Sequence, residues 1–155
     1  DVCSSDLLGR DDPFLFDGFR QALQDTGLPI KQEWIIPSQL SVEGGRQAMR
    51  ELFSQPECPE AVFINNNLLA LGALLEMREI GIKCADDIGI VSFDDHPWAA
   101  VSSPPLTVVQ QPTREIGNIA ANMVLALIND QPVPEKSVIL KCKFIERQSC
   151  RLVRR

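Results

Sequence analysis

The sequence predicts an α/β fold in which a parallel, doubly wound sheet is flanked by helices. Segments with strand and helix patterns alternate along the 155 residues with short connections, as they do in parallel sheets. Two apolar runs, residues 61–64 and 88–93, have the length and composition of strands that are buried on both faces. Hydrophobic residues make up 45% and charged residues 23% of the chain, which is typical of one globular domain.

The first part of the chain is predicted to form two helices joined by a short strand and a loop. Pro13 fits the first position of a helix, and Gly27 fits the residue that ends one. Residues 33–36 are expected to form a short strand and residues 38–45 a polar loop. The second helix ends before Pro56, which cannot continue it.

Three asparagines at positions 65–67 mark the start of the third helix, because Asn is a preferred N-cap. This helix is expected to end at Gly81. Its faces are apolar almost all round, which predicts burial on two sides or an interface. Residues 88–93 then form a buried strand, and residues 108–109 form a short strand or a crossover.

The last part of the chain begins with a long helix that Pro112 opens. Its apolar residues recur at helical spacing, and residues 131–134 interrupt the pattern. Residues 138–140 and 143–145 are predicted to be two final strands.

Polar clusters follow both buried strands, at positions 65–67 and 94–96. In parallel sheets, ligands bind outside the carboxyl ends of the strands. Carboxylates and amides placed there suit a polyhydroxylated ligand, since they accept and donate hydrogen bonds to hydroxyls. The alternative is that the Asn triplet only caps a helix and Asp94 and Asp95 only turn the chain. We interpret His96 as a rim or turn histidine and Trp98 as a packing anchor.

Composition and spacing exclude several function classes. The net charge of -6 argues against this chain binding nucleic acid by itself. Five cysteines without CxxC spacing indicate reduced thiols, and the lone histidine gives no metal-ligand pattern. No phosphate-binding motif occurs, so neither a cofactor nor a metal is expected. No apolar run approaches the roughly 20 residues of a membrane span. A basic tail is expected to be frayed; its members are Arg147, Arg151, Arg154 and Arg155.

Five segments resemble the LacI/GalR family of transcriptional regulators. Residues 59–84 resemble the pattern P-x-A-V-F-x-x-N-D-x-x-A-x-G-A-L, and residues 86–112 resemble the run D-(V/I)-x-(V/I)-V-x-F-D-D…P-P-L-T. Residues 114–128 resemble the helix that follows that run. Residues 17–28 resemble the R-x-x-G-F-x-x-A-L helix, and residues 144–150 resemble the closing I-x-R-x-S segment.

This resemblance implies a core like the type I periplasmic sugar-binding proteins, with two α/β subdomains, three crossovers and a ligand between them. Residues 9–112 would be the C-terminal effector-binding subdomain, and residues 113–143 the returning helix and strand of the mostly absent N-terminal subdomain. Residues 144–155 would be the final strand and basic tail. Residues 1–8 match nothing in the family and are expected to be an artefactual leader, and the chain is expected to be a fragment.

By position, Asn66 and Asp94 match the family residues that hold ligand hydroxyls. Leu15 and Leu40 stand where family members carry a ligand-clamping arginine and a stacking aromatic residue. The helix after the Asn triplet matches the family's dimerisation helix, so Leu71 and Leu75 are candidate interface residues. The alternative is that both leucines are simply core.

The function implied is that of a cytoplasmic, homodimeric, non-enzymatic regulator that senses a carbohydrate-like effector. Operator DNA would be bound only through a helix-turn-helix outside this sequence, and no membrane partner is expected. One alternative is an extracytoplasmic sugar-binding protein of a transport system. Another is a hydrolase that uses Asp94 and Asp95, but adjacent carboxylates on a strand point to opposite faces and make a poor acid–base pair.

Overall fold

The computed structural model describes residues 2–5, 13–133 and 137–150, and its central feature is a five-stranded sheet. The strands lie side by side in chain order: β1 (Val2–Ser5), β2 (Ala61–Ile64), β3 (Gly89–Phe93), β4 (Thr107–Gln110) and β5 (Lys143–Ile145). The first four are parallel and β5 is antiparallel to β4. The predicted α/β class with a largely parallel sheet is therefore confirmed.

The chain also forms four helices: α1 (Pro13–Asp25), α2 (Val42–Ser54), α3 (Asn67–Ile80) and α4 (Thr113–Ile128). In β2, Val62 and Ile64 point into the core that α2 and α3 cover. Phe63 points to the opposite face, where its ring stacks on Phe19 of α1 at 5.7 Å between centroids. The strand therefore alternates between fully and half-buried residues, and the expectation of full burial on both faces was wrong.

Glycines allow α2 and α3 to pack backbone against backbone. A Cβ atom on Gly45 would lie 2.2 Å from the carbonyl oxygen of Leu69, and one on Gly72 would lie 2.0 Å from that of Val42. Both distances are far below van der Waals contact, so neither position accepts a larger residue at this helix separation.

A buried carboxylate joins the same two helices. Glu76 of α3 is 2% exposed and accepts from Arg50 Nε at 2.6 Å and Nη2 at 2.9 Å. Arg46 Nε lies 3.2 Å from the same carboxylate. Removing the carboxylate would leave both guanidinium groups of α2 with only the exposed Glu43 and Glu79 as partners.

Local capping signals explain the helix ends. At the end of α1, Gly27 has φ +70°, and the amides of Leu28 and Gly27 donate to the carbonyls of Leu23 and Gln24, the bonds of a Schellman cap. The start at Pro13 and the end of α3 at Gly81 are also as predicted. The loop predicted for residues 38–45 ends early, because the Ser41 hydroxyl caps the helix by accepting from the Gly44 amide at 3.0 Å.

Two predicted strands were wrong. Where a strand was predicted at residues 33–36, the backbone forms a 3-10 turn, Gln32–Trp34, followed by irregular structure. The turn buries the Trp34 indole, which donates from Nε1 to the Glu57 carbonyl at 3.0 Å, and a strand would not place the indole there. Residues 138–140 are irregular, and Ile139 is 93% exposed, so no strand among the described residues stabilises this apolar run.

Helix α4 makes little contact with the other described elements. No residue of this fully described helix is buried, and Val124, Leu127 and Ile128 are more than half exposed. The α4 apolar face (Ile116, Val124, Leu125, Leu127 and Ile128) is far more apolar surface than a helix normally leaves in water.

Candidate ligand-binding site

The carboxyl ends of three parallel strands meet at one rim of the sheet. Ile64 of β2 is in register with Ser92 of β3, and Phe93 of β3 with Val109 of β4. A cavity of about 310 Å³ opens at this rim, and every residue around it has a polar side chain. The rim cavity is lined by Asn67, Asp94, Asp95, His96, Gln110, Gln111 and Thr113.

Asp94 turns the chain out of the sheet directly after β3. Its φ of +73° is in the left-handed region, which Asp tolerates better than most residues. Its amide donates to the Val109 carbonyl at 2.9 Å, and its Oδ1 accepts from Gln111 Nε2 at 2.6 Å. Both partners come from β4 or its immediate continuation, so β4 fixes the Asp94 carboxylate at the rim.

Asp95 is held by a different set of partners. Its Oδ2 accepts from Arg147 Nη2 at 2.9 Å and from Gln110 Nε2 at 3.2 Å. Arg147 also donates from Nη1 to the Leu106 carbonyl at 2.8 Å, and the two charged side chains are only 17% and 13% exposed. The expectation that Arg147 is frayed was wrong; the other arginines of the tail lie outside the described residues.

Ser149 joins the C-terminal segment to the sheet, a role that the sequence reasoning missed. Its fully buried hydroxyl accepts from the Thr107 amide at 2.7 Å and donates to the Ile90 carbonyl at 2.6 Å. The hydroxyl thus bridges β3 and β4. Arg147 and Ser149 are two of the three fixed residues of the I-x-R-x-S segment, which is the signal that could have identified them.

Asn66 lies at the same rim as Asp94 but is the N-cap of α3. Its Oδ1 accepts from the Leu68 amide at 2.8 Å, so the capping explanation holds for that oxygen. Its neighbour Asn67 lines the rim cavity. Beside them, Asn65 Oδ1 is buried without a hydrogen-bond partner among the described residues.

The other two positions named for the ligand are elsewhere. Leu15 is half-buried in α1, and Leu40 precedes α2 with 52% of its surface exposed. Neither lines the rim cavity. Of the four positions, the structure brings Asp94 to the cavity, Asn66 to its edge, and the two leucines to neither.

The candidate interface leucines line a second, apolar cavity of about 830 Å³ on the outer side of α3. Leu71 is half-buried, Leu75 is 39% exposed, and the nearby Val101 is 81% exposed. Trp98 packs against the hydrophobic core and also lines this apolar cavity rather than the rim cavity, in agreement with its interpretation as a packing anchor.

The thiols and carboxylates do not form a metal site in the part of the chain that the structure describes. No group of three or more His, Cys, Asp or Glu residues comes together there.

Burial raises the pKa of the Cys84 thiol to about 12, and the nearby Cys150 and Asp86 act in the same direction. Within the same ranges, no helix has both the length and the apolar character that a membrane span requires.

Comparison with known proteins identifies the family. Residues 12–150 match the family model described as the periplasmic binding protein-like domain. The chain belongs to this family. It is 32% identical over 132 residues to the HTH-type transcriptional repressor PurR of Photorhabdus laumondii, covering 85% of this chain. The chain spans only 39% of that repressor's length.

Solved structures agree with this assignment. A LacI regulator from Bacillus cereus subsp. cytotoxis has a TM-score of 0.82 at 28% identity, over 88% of this chain and 48% of that one. A transcriptional regulator CelR in complex with cellobiose has a TM-score of 0.79 at 29% identity, over 86% of this chain and 41% of that one. The resemblance to LacI/GalR regulators, inferred from the sequence, is confirmed by these relatives.

Proposed function

We propose that this chain is the ligand-sensing part of a bacterial LacI/GalR-type transcription regulator, and that it binds a small carbohydrate-like effector which modulates operator binding. The observation that carries the proposal is the polar rim cavity at the carboxyl ends of β2, β3 and β4. The relatives are transcriptional repressors and regulators, one of them complexed with cellobiose, which favours a regulator over a transport protein.

The chemistry of the rim cavity suits hydroxyl groups. Asp94 accepts one hydrogen bond from Gln111 through Oδ1 and forms no ion pair with a described residue, so its carboxylate has lone pairs for ligand hydroxyls. Asn66 uses its oxygen for capping and has its amide group to donate. Leu15 and Leu40 would contribute apolar surface to a cleft completed by the rest of the protein.

Binding, rather than catalysis, is the use that this arrangement favours. The two neighbouring carboxylates have separate partners, because Asp95 is paired with Arg147 while Asp94 bonds to a neutral amide. Such a pair does not provide an acid and a base acting on one bond. The regulator would act in the cytoplasm without a cofactor or a metal.

The mechanism follows from a two-part core. Residues 9–112 would form the effector-binding subdomain, and residues 113–143 would return to the N-terminal subdomain, against which the α4 apolar face would pack. An effector that binds the closed cleft more tightly than the open one shifts the population to the closed state. The coupling to operator DNA would pass through a helix-turn-helix outside this chain.

The apolar cavity beside α3, which Leu71 and Leu75 line, supports a homodimer in which these two leucines lie at the interface. Leu75→Glu would place a charge in that interface and convert the full-length protein to a monomer in analytical ultracentrifugation. A dimer of unchanged affinity would exclude Leu75 from the interface.

The binding role of Asp94 is tested in the full-length protein. Asp94→Asn and Asp94→Ala are expected to abolish induction and binding of neutral sugars, with ribose, galactose, glucose and cellobiose as probes, while operator affinity stays unchanged. Asp25→Asn, at the exposed far end of α1, is the matched control. An Asp94 variant that still responds like the Asp25 control would remove Asp94 from the site, and failure of the unaltered protein to bind any of these sugars would contradict a carbohydrate effector.

A further inference from the structure

The turn that carries Asp94 is hydrogen-bonded to two separate parts of the chain. One attachment is β4, through Gln110, Gln111 and the Val109 carbonyl. The other is the segment after β5, through the Arg147–Asp95 ion pair. Because β4 and β5 are antiparallel neighbours, both attachments belong to one two-stranded ribbon.

Arg147 makes more contacts to this ribbon and to the turn than an ion pair alone requires. Its guanidinium donates to Asp95 and to the Leu106 carbonyl, and its backbone amide donates to Thr107 Oγ1 at 3.0 Å. The side chain is 17% exposed, so these bonds are largely shielded from water. A buried ion pair supported by further hydrogen bonds has a defined geometry that an exposed pair lacks.

The turn needs such support because its backbone conformation is unfavourable. A non-glycine residue with φ near +73° persists only where the surrounding structure determines it. Asp94 itself contributes one backbone and one side-chain hydrogen bond, both to β4 or the residue after it. The neighbouring Asp95 supplies the remaining anchor through Arg147.

We infer that Arg147 is a positioning residue for the effector site: by holding Asp95 it fixes the turn that presents Asp94, and it couples that turn to the C-terminal segment. The inference rests on the proposed function for its role in binding, although the contacts that carry it do not involve a ligand. Coupling of this kind is reciprocal, so a ligand bound at Asp94 would also stabilise the segment around Arg147.

Amide hydrogen exchange in this chain tests the positioning role directly. Arg147→Gln is expected to raise exchange of the Asp94 amide at least tenfold relative to the Val62 amide in β2, and Arg147→Lys to restore part of the protection. Arg46→Gln is the matched control, since it also removes a partly buried ion pair but does so on α2, which does not contact the Asp94 turn through Arg46. Unchanged exchange at Asp94, or an equal rise at Asp94 and Val62, would overturn the inference.

A second variant keeps the test decisive where Arg147→Gln does not fold. Asp95→Asn retains the shape of the side chain and removes its charge, so the Asp94 amide should again lose protection, and the side-chain amide resonances of Gln111 should shift. Combining it with Arg147→Gln should add little to either single change, because both remove the same interaction. Additive losses would indicate that the two residues act independently.

A ligand experiment separates this inference from the proposed function. In the full-length protein, Arg147→Gln should weaken binding of whichever of ribose, galactose, glucose or cellobiose the unaltered protein binds by at least tenfold. If Asp94→Ala abolishes sugar binding while Arg147→Gln leaves the affinity within twofold, the positioning role is wrong and the proposed function stands. If the unaltered protein binds none of these sugars, the carbohydrate proposal fails while the exchange result still decides the positioning role.

Discussion

Replacing Ser149 with Ala should destabilise the sheet more than loss of the equally buried Ser92 hydroxyl. The change removes two short hydrogen bonds, from the Thr107 amide at 2.7 Å and to the Ile90 carbonyl at 2.6 Å, at a position with no solvent exposure. The buried Thr107 amide then has no partner in place of the hydroxyl. An unsatisfied buried donor costs about 1–3 kcal/mol, and loss of the second bond about 1 kcal/mol.

The expected total for Ser149→Ala is therefore about 2–4 kcal/mol of unfolding free energy, or roughly 5–15 °C in melting temperature for a chain of this size. Urea unfolding followed by circular dichroism measures this loss, provided that the dependence of the unfolding free energy on urea concentration is the same in variant and unaltered protein. Ser92→Ala is the matched control, because Ser92 is equally buried but its hydroxyl makes only one local bond, to the Phe93 carbonyl at 3.1 Å.

The control should lose about 1 kcal/mol or less. If Ser149→Ala loses no more than Ser92→Ala, then the hydroxyl of Ser149 does not bridge β3 and β4 in solution, and the account of how the C-terminal segment is attached is wrong.

Four further predictions concern other parts of the fold. Glu76→Ala should lower the urea midpoint of unfolding, because it removes the buried acceptor of two Arg50 hydrogen bonds, and an unchanged midpoint would contradict this. Gly72→Ala should force α2 away from α3 and lower the melting temperature by more than Gly27→Ala, which causes backbone strain but no steric clash. An unchanged melting temperature would show that the helices can separate freely. The exposed α4 apolar face should make this chain self-associate in light scattering, and Leu127→Glu should reduce that association; equal association of the two proteins would exclude this face as its cause. Cys84 should react with a thiol reagent at pH 8 far more slowly than the exposed Cys58.

The raised pKa of Cys84 also fixes the sign of a pH effect. The folded state disfavours the thiolate, with a pKa of about 12 against an ordinary 9.0, so the unfolded state releases its proton first as the pH rises. The stability contribution is fully present below about pH 9 and is lost between that value and pH 12. Cys84→Ser should flatten this part of the unfolding free energy profile, and an unaltered profile would assign the effect to other groups.

Predictions from the sequence succeeded where the determining interactions are local. The ends of α1 and α3 were predicted from Pro13, Gly27, Asn66 and Gly81, because each acts on backbone groups within a few residues of itself. The rim was predicted for a similar reason, since polar residues directly after parallel strands must lie at the same edge of the sheet.

Predictions failed where a distant partner decides the conformation. The apolar residues around Trp34 have strand propensity, but the indole is satisfied by the Glu57 carbonyl, 23 positions away, and the backbone turns to reach it. Residues 138–140 have the same propensity, but no strand in the described part of the chain lies beside them, and they remain irregular. In both cases tertiary contacts override a local preference.

The sequence by itself determined the order of the elements, most of their ends, and the edge at which Asp94 lies, because capping groups and apolar runs act through neighbouring residues. Only the tertiary structure decided that Asp95 forms an ion pair with Arg147 while Asp94 has no ion pair to any described residue. The partners responsible are 52 positions apart for Arg147 and Asp95, and 42 and 59 positions apart for Ser149 with Thr107 and Ile90. Such pairs come within hydrogen-bond distance only after the sheet has formed, so a local pattern can mark Arg147 and Ser149 but cannot tell which residues they bind.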